Sequence, residues 1–184
     1  MQQTNATVVP FSLSDRSAAS QVAWIAGSAV LTAVAAQIEI PHNPVPLTLQ
    51  TLVVLLSGAL LGKRNGMIGQ ALYLLMGVAG LPVFAHMGFG VARLLGPSGG
   101  YLLAFPIAAF IVGFLADRRS TFLWSVLSMA AGLFTVFSLG VLHLNLVYYH
   151  DWSASLANGF LVFSGWDAVK ILAAAGILRS TSRR

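Results

Sequence analysis

The chain has 184 residues, 57% hydrophobic and 8% charged, with a formal net charge of +5 and no cysteine, and its mean hydropathy is +0.82. Soluble domains carry about 25% charged residues, so this composition excludes an ordinary soluble domain and calls for a single membrane domain whose core is the helix bundle itself. Without cysteine there is no disulfide, thiolate metal site or cysteine nucleophile, and the basic residues lack the clustering that a nucleic-acid surface needs.

Residues 1–17 are polar and aperiodic and are expected to form a mobile tail. The first apolar stretch ends in Ala33-Val34-Ala35-Ala36, which has the small-residue character of a signal cleavage site. However, the charge before it is Arg16 beside Asp15, and the chain that follows is itself polytopic, so a retained first span is expected. Six spans are predicted, at about 18–38, 47–62, 66–80, 99–116, 121–146 and 159–179, an all-α polytopic fold over 18–180 with a basic tail at 181–184. In span one, Ala19, Ala23 and Gly27, and then Ala29 and Ala33, form small-residue faces suited to close helix approach, within the chain or to another subunit. Spans two and three are short and joined by Lys63-Arg64-Asn65-Gly66, which predicts a tight antiparallel hairpin that tilts little or sits in locally thin bilayer.

The positive residues test this count. Arg16, Lys63, Arg64, Arg118, Arg119, Arg179, Arg183 and Arg184 all fall on one side of a six-span layout. By the positive-inside rule that side is cytoplasmic, with both termini inside and the connections near 39–46, 81–98 and 147–158 outside. Of the ten basic residues, Arg93 and Lys170 break the pattern.

The first outer connection, Glu39 to Pro46, is dense in proline, which precludes a regular helix and predicts an extended, lid-like segment. Thr48 is placed to cap span two, with Gln50 in its first turn. Arg93 lies in a glycine-rich linker, Gly88 to Gly100, too apolar for an ordinary solvated loop and therefore expected to fold back, partly re-entrant, between helices three and four. There the guanidinium either grips a carboxylate through a bidentate pair or snorkels to lipid headgroups. His42, His86, His143 and His150 show no metal-ligand spacing, and the His143–Trp152 stretch, with Tyr148 and Tyr149, reads as an interfacial aromatic anchor.

The last span carries Asp167 and Lys170, three residues apart and so on one helical face. At bilayer depth each charge is costly unless paired, so the pair either marks a functional site or holds the helix to its neighbours. There is no Walker-type phosphate loop, no Ser/His/Asp arrangement, no paired catalytic carboxylates and no dinucleotide fingerprint, so neither an ATPase site nor an enzyme is expected, and no cofactor.

Several stretches taken together resemble one family. These are Ile40-Pro41 through Val45-Pro46-Leu47-Thr48-Leu49-Gln50-Thr51, Gly69-Gln70-Ala71-Leu72-Tyr73-Leu74-Leu75-Met76-Gly77, Gly80-Leu81-Pro82-Val83-Phe84-Ala85, Leu95-Gly96-Pro97-Ser98-Gly99-Gly100-Tyr101-Leu102-Leu103 and Asp167-Ala168-Val169-Lys170. In this order they resemble the BioY family, the biotin-binding membrane (S) subunits of energy-coupling-factor (ECF) transporters, with Ser98 standing where the family's motif has Thr. The resemblance implies a six-helix fold that captures biotin from outside with high affinity in the bacterial plasma membrane. It also implies a transmembrane coupling subunit and cytoplasmic ABC-type ATPases as partners, and it leaves solitary operation and self-association open. It implies Arg93 for the biotin carboxylate, Asp167 for ureido N–H groups and Lys170 for the ureido oxygen, with Ala29 and Ala33, in competition with Ala19 and Ala23, as the coupling face. Tyr73, Tyr101, Trp166 and Phe84 are candidates to cover the ring, and Gln50, Gln70, His86 and Asn158 are further polar candidates. The alternatives are an ion-coupled secondary transporter using Asp167 and Lys170, and the same architecture serving another small vitamin.

Overall fold

The computed structural model describes residues 17–119, 121–161 and 164–181; the expected tails lie outside these apart from Ser17 and Thr181. Helix α1, Ala18–Ala36, begins where the Ser17 hydroxyl accepts the Ser20 N–H at 3.3 Å. It is apolar on every side, so its orientation is decided by size. The small residues Ser28, Ala29, Thr32, Ala35 and Ala36 are buried against the rest of the chain, and Val22, Val30, Leu31 and Val34 face outward, as close helix contact in lipid requires. Ala29 has no exposed surface and Ala33 is half-buried, whereas Ala19, Ala23 and Gly27 are exposed.

The proline-rich connection is a two-strand ribbon. Strand β1, Glu39–Ile40, pairs antiparallel with β2, Leu47–Thr48, placing Glu39 opposite Thr48 and Ile40 opposite Leu47. Val45 and Leu47 are buried in the bundle, so the segment is extended as its prolines dictate but tucked in along part of its length.

Helix α2, Gln50–Val78, is two antiparallel arms. Gly62 has φ +78° and ψ 171°, outside any helical region and open to glycine alone. The chain therefore turns back at Gly62, whereas Lys63 to Gly66, the expected turn, already belong to the second arm. The reversal is visible in cross-arm contacts: Gln70 Nε2 donates to Ser57 Oγ at 3.1 Å and Gln50 Nε2 to Tyr73 Oη at 2.6 Å. In a continuous helix residues 50 and 73 would stand about 35 Å apart. A Cβ on Gly66 would lie 2.9 Å from Gly58 Cα, which is why the arms approach so closely.

Between α2 and the next long helix lie a tight turn at Ala85–Met87 and the short helix α3, Val91–Leu95. Helix α4, Gly99–Ala116, packs its N-terminal Gly99-Gly100 against His143 of α5, Phe122–Leu144, and its Gly113 against the backbone of Gly62 and Lys63. Helix α5 continues as a wider turn over Asn145–Tyr149. It is followed by α6, Trp152–Leu156, a second wide turn at Ala157–Leu161, and α7, Ser164–Thr181. Among the described residues, four segments are long and apolar enough to cross a membrane: Ala18–Ala36, Gly99–Ala116, Phe122–Tyr149 and Trp152–Leu178. The arms of α2, at about 18 and 24 Å, are shorter than a hydrocarbon core of about 30 Å.

The two ends of the bundle differ in chemistry. At one end Lys63 Nζ and Arg118 Cζ lie 5.5 and 4.5 Å from the Phe114 ring centre, and Arg119 Cζ lies 5.3 Å from that of Trp124. At the other end are the ribbon, the 79–98 linker and the cavity between them.

Candidate functional site

A cavity of about 590 Å³, including its open mouth, lies among the ribbon, the start of α2, the linker, α4, α5 and α7. Its base is built by α7. Spacing of i,i+3 brings Asp167 and Lys170 together, with Nζ 2.8 Å from Oδ1, and both are almost fully buried, at 1% and 4% exposure. The ammonium also donates to the Thr48 carbonyl at 2.7 Å and to Thr51 Oγ1 at 3.0 Å, so its three hydrogens each have an acceptor. Thr51 Oγ1 in turn donates to Asp167 Oδ1 at 3.0 Å. The second carboxylate oxygen, Oδ2, is buried with no hydrogen-bond partner among the described residues. A buried acceptor left open in this way is costly.

Next to this cluster Gln50 lines the cavity, its amide oriented by its neighbours. Thr48 Oγ1 donates to Oε1 at 2.9 Å, Nε2 donates to Tyr73 Oη at 2.6 Å, and Tyr73 Oη donates to the Val83 carbonyl at 3.2 Å. Leu49 occupies the cap position of α2, while Thr48 Oγ1 accepts the Gln50 N–H at 3.3 Å, so Thr48 does serve the first turn.

The walls are aromatic. Phe84 meets Tyr73 edge-on at 5.5 Å, and its ring occupies the space where a side chain on Gly77 would project. Tyr101 lies in the space left by Gly140, and its hydroxyl donates to the Gly159 carbonyl at 2.9 Å. Phe105 and Phe137 complete the apolar lining. At the linker side Arg93 lines the cavity and donates through Nη2 to the Ala85 carbonyl at 3.3 Å. That is the one hydrogen bond of the guanidinium among the described residues, so most of its five N–H donors stay available to an anion.

Of the residues singled out from sequence, Arg93, Lys170, Gln50, Phe84 and Tyr101 share this lining, and Asp167 is bonded to it through Lys170. Five others do not line it. Tyr73 stands behind Gln50. Gln70 ties α1 to the hairpin through Thr32 and Ser57, both at 3.1 Å. His86 sits outside, 3.0 Å from Glu39. Asn158 Nδ2 donates to the Ala154 carbonyl within its own turn at 3.0 Å. Trp166 is 40% exposed, its ring centre 6.0 Å from Lys170 Nζ. Thr51, in the first turn of α2, escaped the sequence reading as a site residue.

Apolar helices enclosing a largely apolar pocket that carries a few polar groups and opens at one end define a multi-pass membrane protein built to hold a small ligand. The sequence model of the BioY family matches residues 3–184, and the chain belongs to that family. It is 44% identical over 145 residues to the "Biotin transporter BioY" of Thermotoga maritima, covering 79% of this chain and 85% of the relative. It is 38% identical over 152 residues to the "Probable biotin transporter BioY" of Pyrococcus horikoshii, covering 83% and 90%. Among solved structures, the S-component for biotin from an ECF-type ABC transporter superposes with a TM-score of 0.83 at 26% identity, covering 90% of this chain and 92% of that one.

Proposed function

We propose that this chain is the biotin-capturing S subunit of an ECF-type ABC transporter, taking up biotin at the end of the bundle where the cavity opens. The observation that carries this reading is the pairing of two unequal polar ends across aromatic walls. One end holds Lys170, bonded to Asp167, whose Oδ2 has no donor among the described residues; the other holds Arg93, with donors to spare. Biotin has a ureido ring with two N–H groups, an apolar thioether ring and a carboxylate tail. Its ureido N–H groups suit Asp167, its rings suit Phe84, Tyr101, Phe105 and Phe137, and its carboxylate suits Arg93. Lys170 is assigned first to bonding the Asp167 carboxylate, 2.8 Å away. To bond the ureido oxygen it must exchange one of its three present acceptors.

The finer reading has six crossings, counting the two arms of α2, within one membrane domain, and a linker that re-enters the bundle to form part of the cavity wall. The basic end carrying Lys63, Arg118 and Arg119 is cytoplasmic, as are both termini, and the membrane is the bacterial plasma membrane. Biotin is cargo, and no cofactor is assigned. Energy comes from separate ATPase subunits through a coupling subunit that meets the outward face of α1 at Ala19, Ala23 and Gly27. Equilibrium binding of labelled biotin to the purified chain, beside Asp167→Asn, tests the site. Tight binding that the substitution abolishes is expected, and absence of binding by the folded parent would remove the biotin reading.

A further inference from the structure

The end of α1 is tied to the segment that forms one wall of the cavity. Gln37, the residue after α1, is exposed, yet its carboxamide bonds twice to the backbone of the outer linker. Nε2 donates to the Phe84 carbonyl at 3.0 Å, and Oε1 accepts the Met87 N–H at 3.1 Å. Two residues on, Glu39 Oε1 lies 3.0 Å from His86 Nε2. Between these ties His86 and Met87 have φ of +56° and +53°, left-handed conformations that residues other than glycine hold only where their surroundings impose them. The turn they form is closed by a pair of backbone bonds between Phe84 and Gly88, at 3.0 and 3.1 Å.

What this turn carries gives the ties their meaning. Phe84 and Ala85 line the cavity, and the Ala85 carbonyl is the acceptor that positions Arg93. Phe84 is wedged beside Gly77, so this wall moves when the 84–88 backbone lets go and little otherwise. The cavity's base is held by buried bonds to Lys170, whereas this wall is fastened at its outer edge, where Gln37 and the Gln37–Met87 bond are exposed and the His86 side chain is 51% exposed against 14% for Glu39. Bonds of that kind open locally at low cost.

We propose that Gln37 and Glu39 form a clasp that holds the 84–88 turn against the cavity, and that ligand enters and leaves when the clasp releases. Both are positioning residues, acting through Phe84, Ala85 and Arg93. The identity of the ligand rests on the biotin reading; the clasp itself does not.

The native chain has no cysteine, so a Gln37→Cys/Met87→Cys variant carries two unique thiols for a short thiol-reactive crosslinker, applied to the purified chain before or after loading with labelled biotin. Crosslinking first is expected to block loading, crosslinking afterwards to trap bound biotin, and the uncrosslinked variant to release it about tenfold faster than the parent, as loss of two ordinary hydrogen bonds allows. Exchange through the crosslinked chain at the uncrosslinked rate would overturn the proposal. Hydrogen exchange needs no ligand: Gln37→Ala should speed exchange of the 84–88 amides about tenfold with the unfolding temperature unchanged. If the parent fails to bind biotin while that exchange accelerates, the biotin reading falls and the clasp stands. If the parent binds and neither exchange nor release responds, the clasp falls alone.

Discussion

Replacing Lys170 by methionine keeps most of the side chain's volume and removes its charge, which isolates the electrostatic role of the cluster beneath the cavity. The ammonium makes three bonds, of 2.7, 2.8 and 3.0 Å. Without it Asp167, at 1% exposure, keeps the Thr51 hydroxyl as its one described partner, and Oδ2 already has none. Removing one member of a buried ion pair costs about 3–5 kcal/mol, because the other charge is left uncompensated. At roughly 2–4 °C per kcal/mol for a chain of this size, the unfolding temperature of purified Lys170→Met in detergent should drop by about 6–20 °C. The double variant Asp167→Asn/Lys170→Met leaves no buried charge and should recover most of that loss, so the two substitutions would be strongly non-additive. Thermal unfolding of parent, both single variants and the double variant, followed by circular dichroism, makes the comparison. A Lys170→Met chain as stable as the parent, or a double variant whose loss equals the sum of the single ones, would refute the argument that the pair is held together by mutual neutralisation.

Arg93→Ala should weaken biotin binding on the order of 10–100-fold, the worth of charged hydrogen bonds, and should erase the preference for biotin over its uncharged amide in competition binding. Gln70→Leu should lower thermal stability by about 1–3 kcal/mol, since Thr32 and Ser57 lose their shared partner; its biotin affinity should match the parent's, because Gln70 lies outside the cavity. Gly62→Ala should destabilise by about 1–3 kcal/mol through backbone strain alone, measurable as a lowered unfolding temperature, since a Cβ there meets no atom within 4 Å.

Charges in apolar surroundings were the most legible signal. Asp167 and Lys170 stand out because a carboxylate and an ammonium at bilayer depth need each other, and Arg93 because it breaks the one-sided placement of the other basic residues. The bounds of α4 were legible too, since Ser98-Gly99-Gly100 and Asp117-Arg118-Arg119 bracket an unbroken apolar run. The hairpin was expected, but its turning residue was not. Glycine is common in membrane helices, so Gly62 resembles its neighbours Gly58 and Gly66 until its φ is known, whereas Lys63-Arg64 draws the eye as polar loop. Gln70 and His86 show a second limit. A polar side chain in an apolar segment announces that it has a partner, but the partner of Gln70 is Thr32, 38 residues away, and that of His86 is Glu39, across the ribbon. Ala29 shows a third. A helix apolar all round carries no periodic signal for which face is inside, so the choice between small-residue stripes falls to packing.

The saturation of Lys170 has a consequence for how this pocket works as a receptor. Its three acceptors, the Thr48 carbonyl, Thr51 Oγ1 and Asp167 Oδ1, fix the rotamers of the ammonium and carboxylate through contacts within the chain itself. The conformational entropy of ordering those side chains is thus lost during folding and not on binding. A pocket preorganised in this way gains affinity without adding contacts, and it does so largely by prolonging residence.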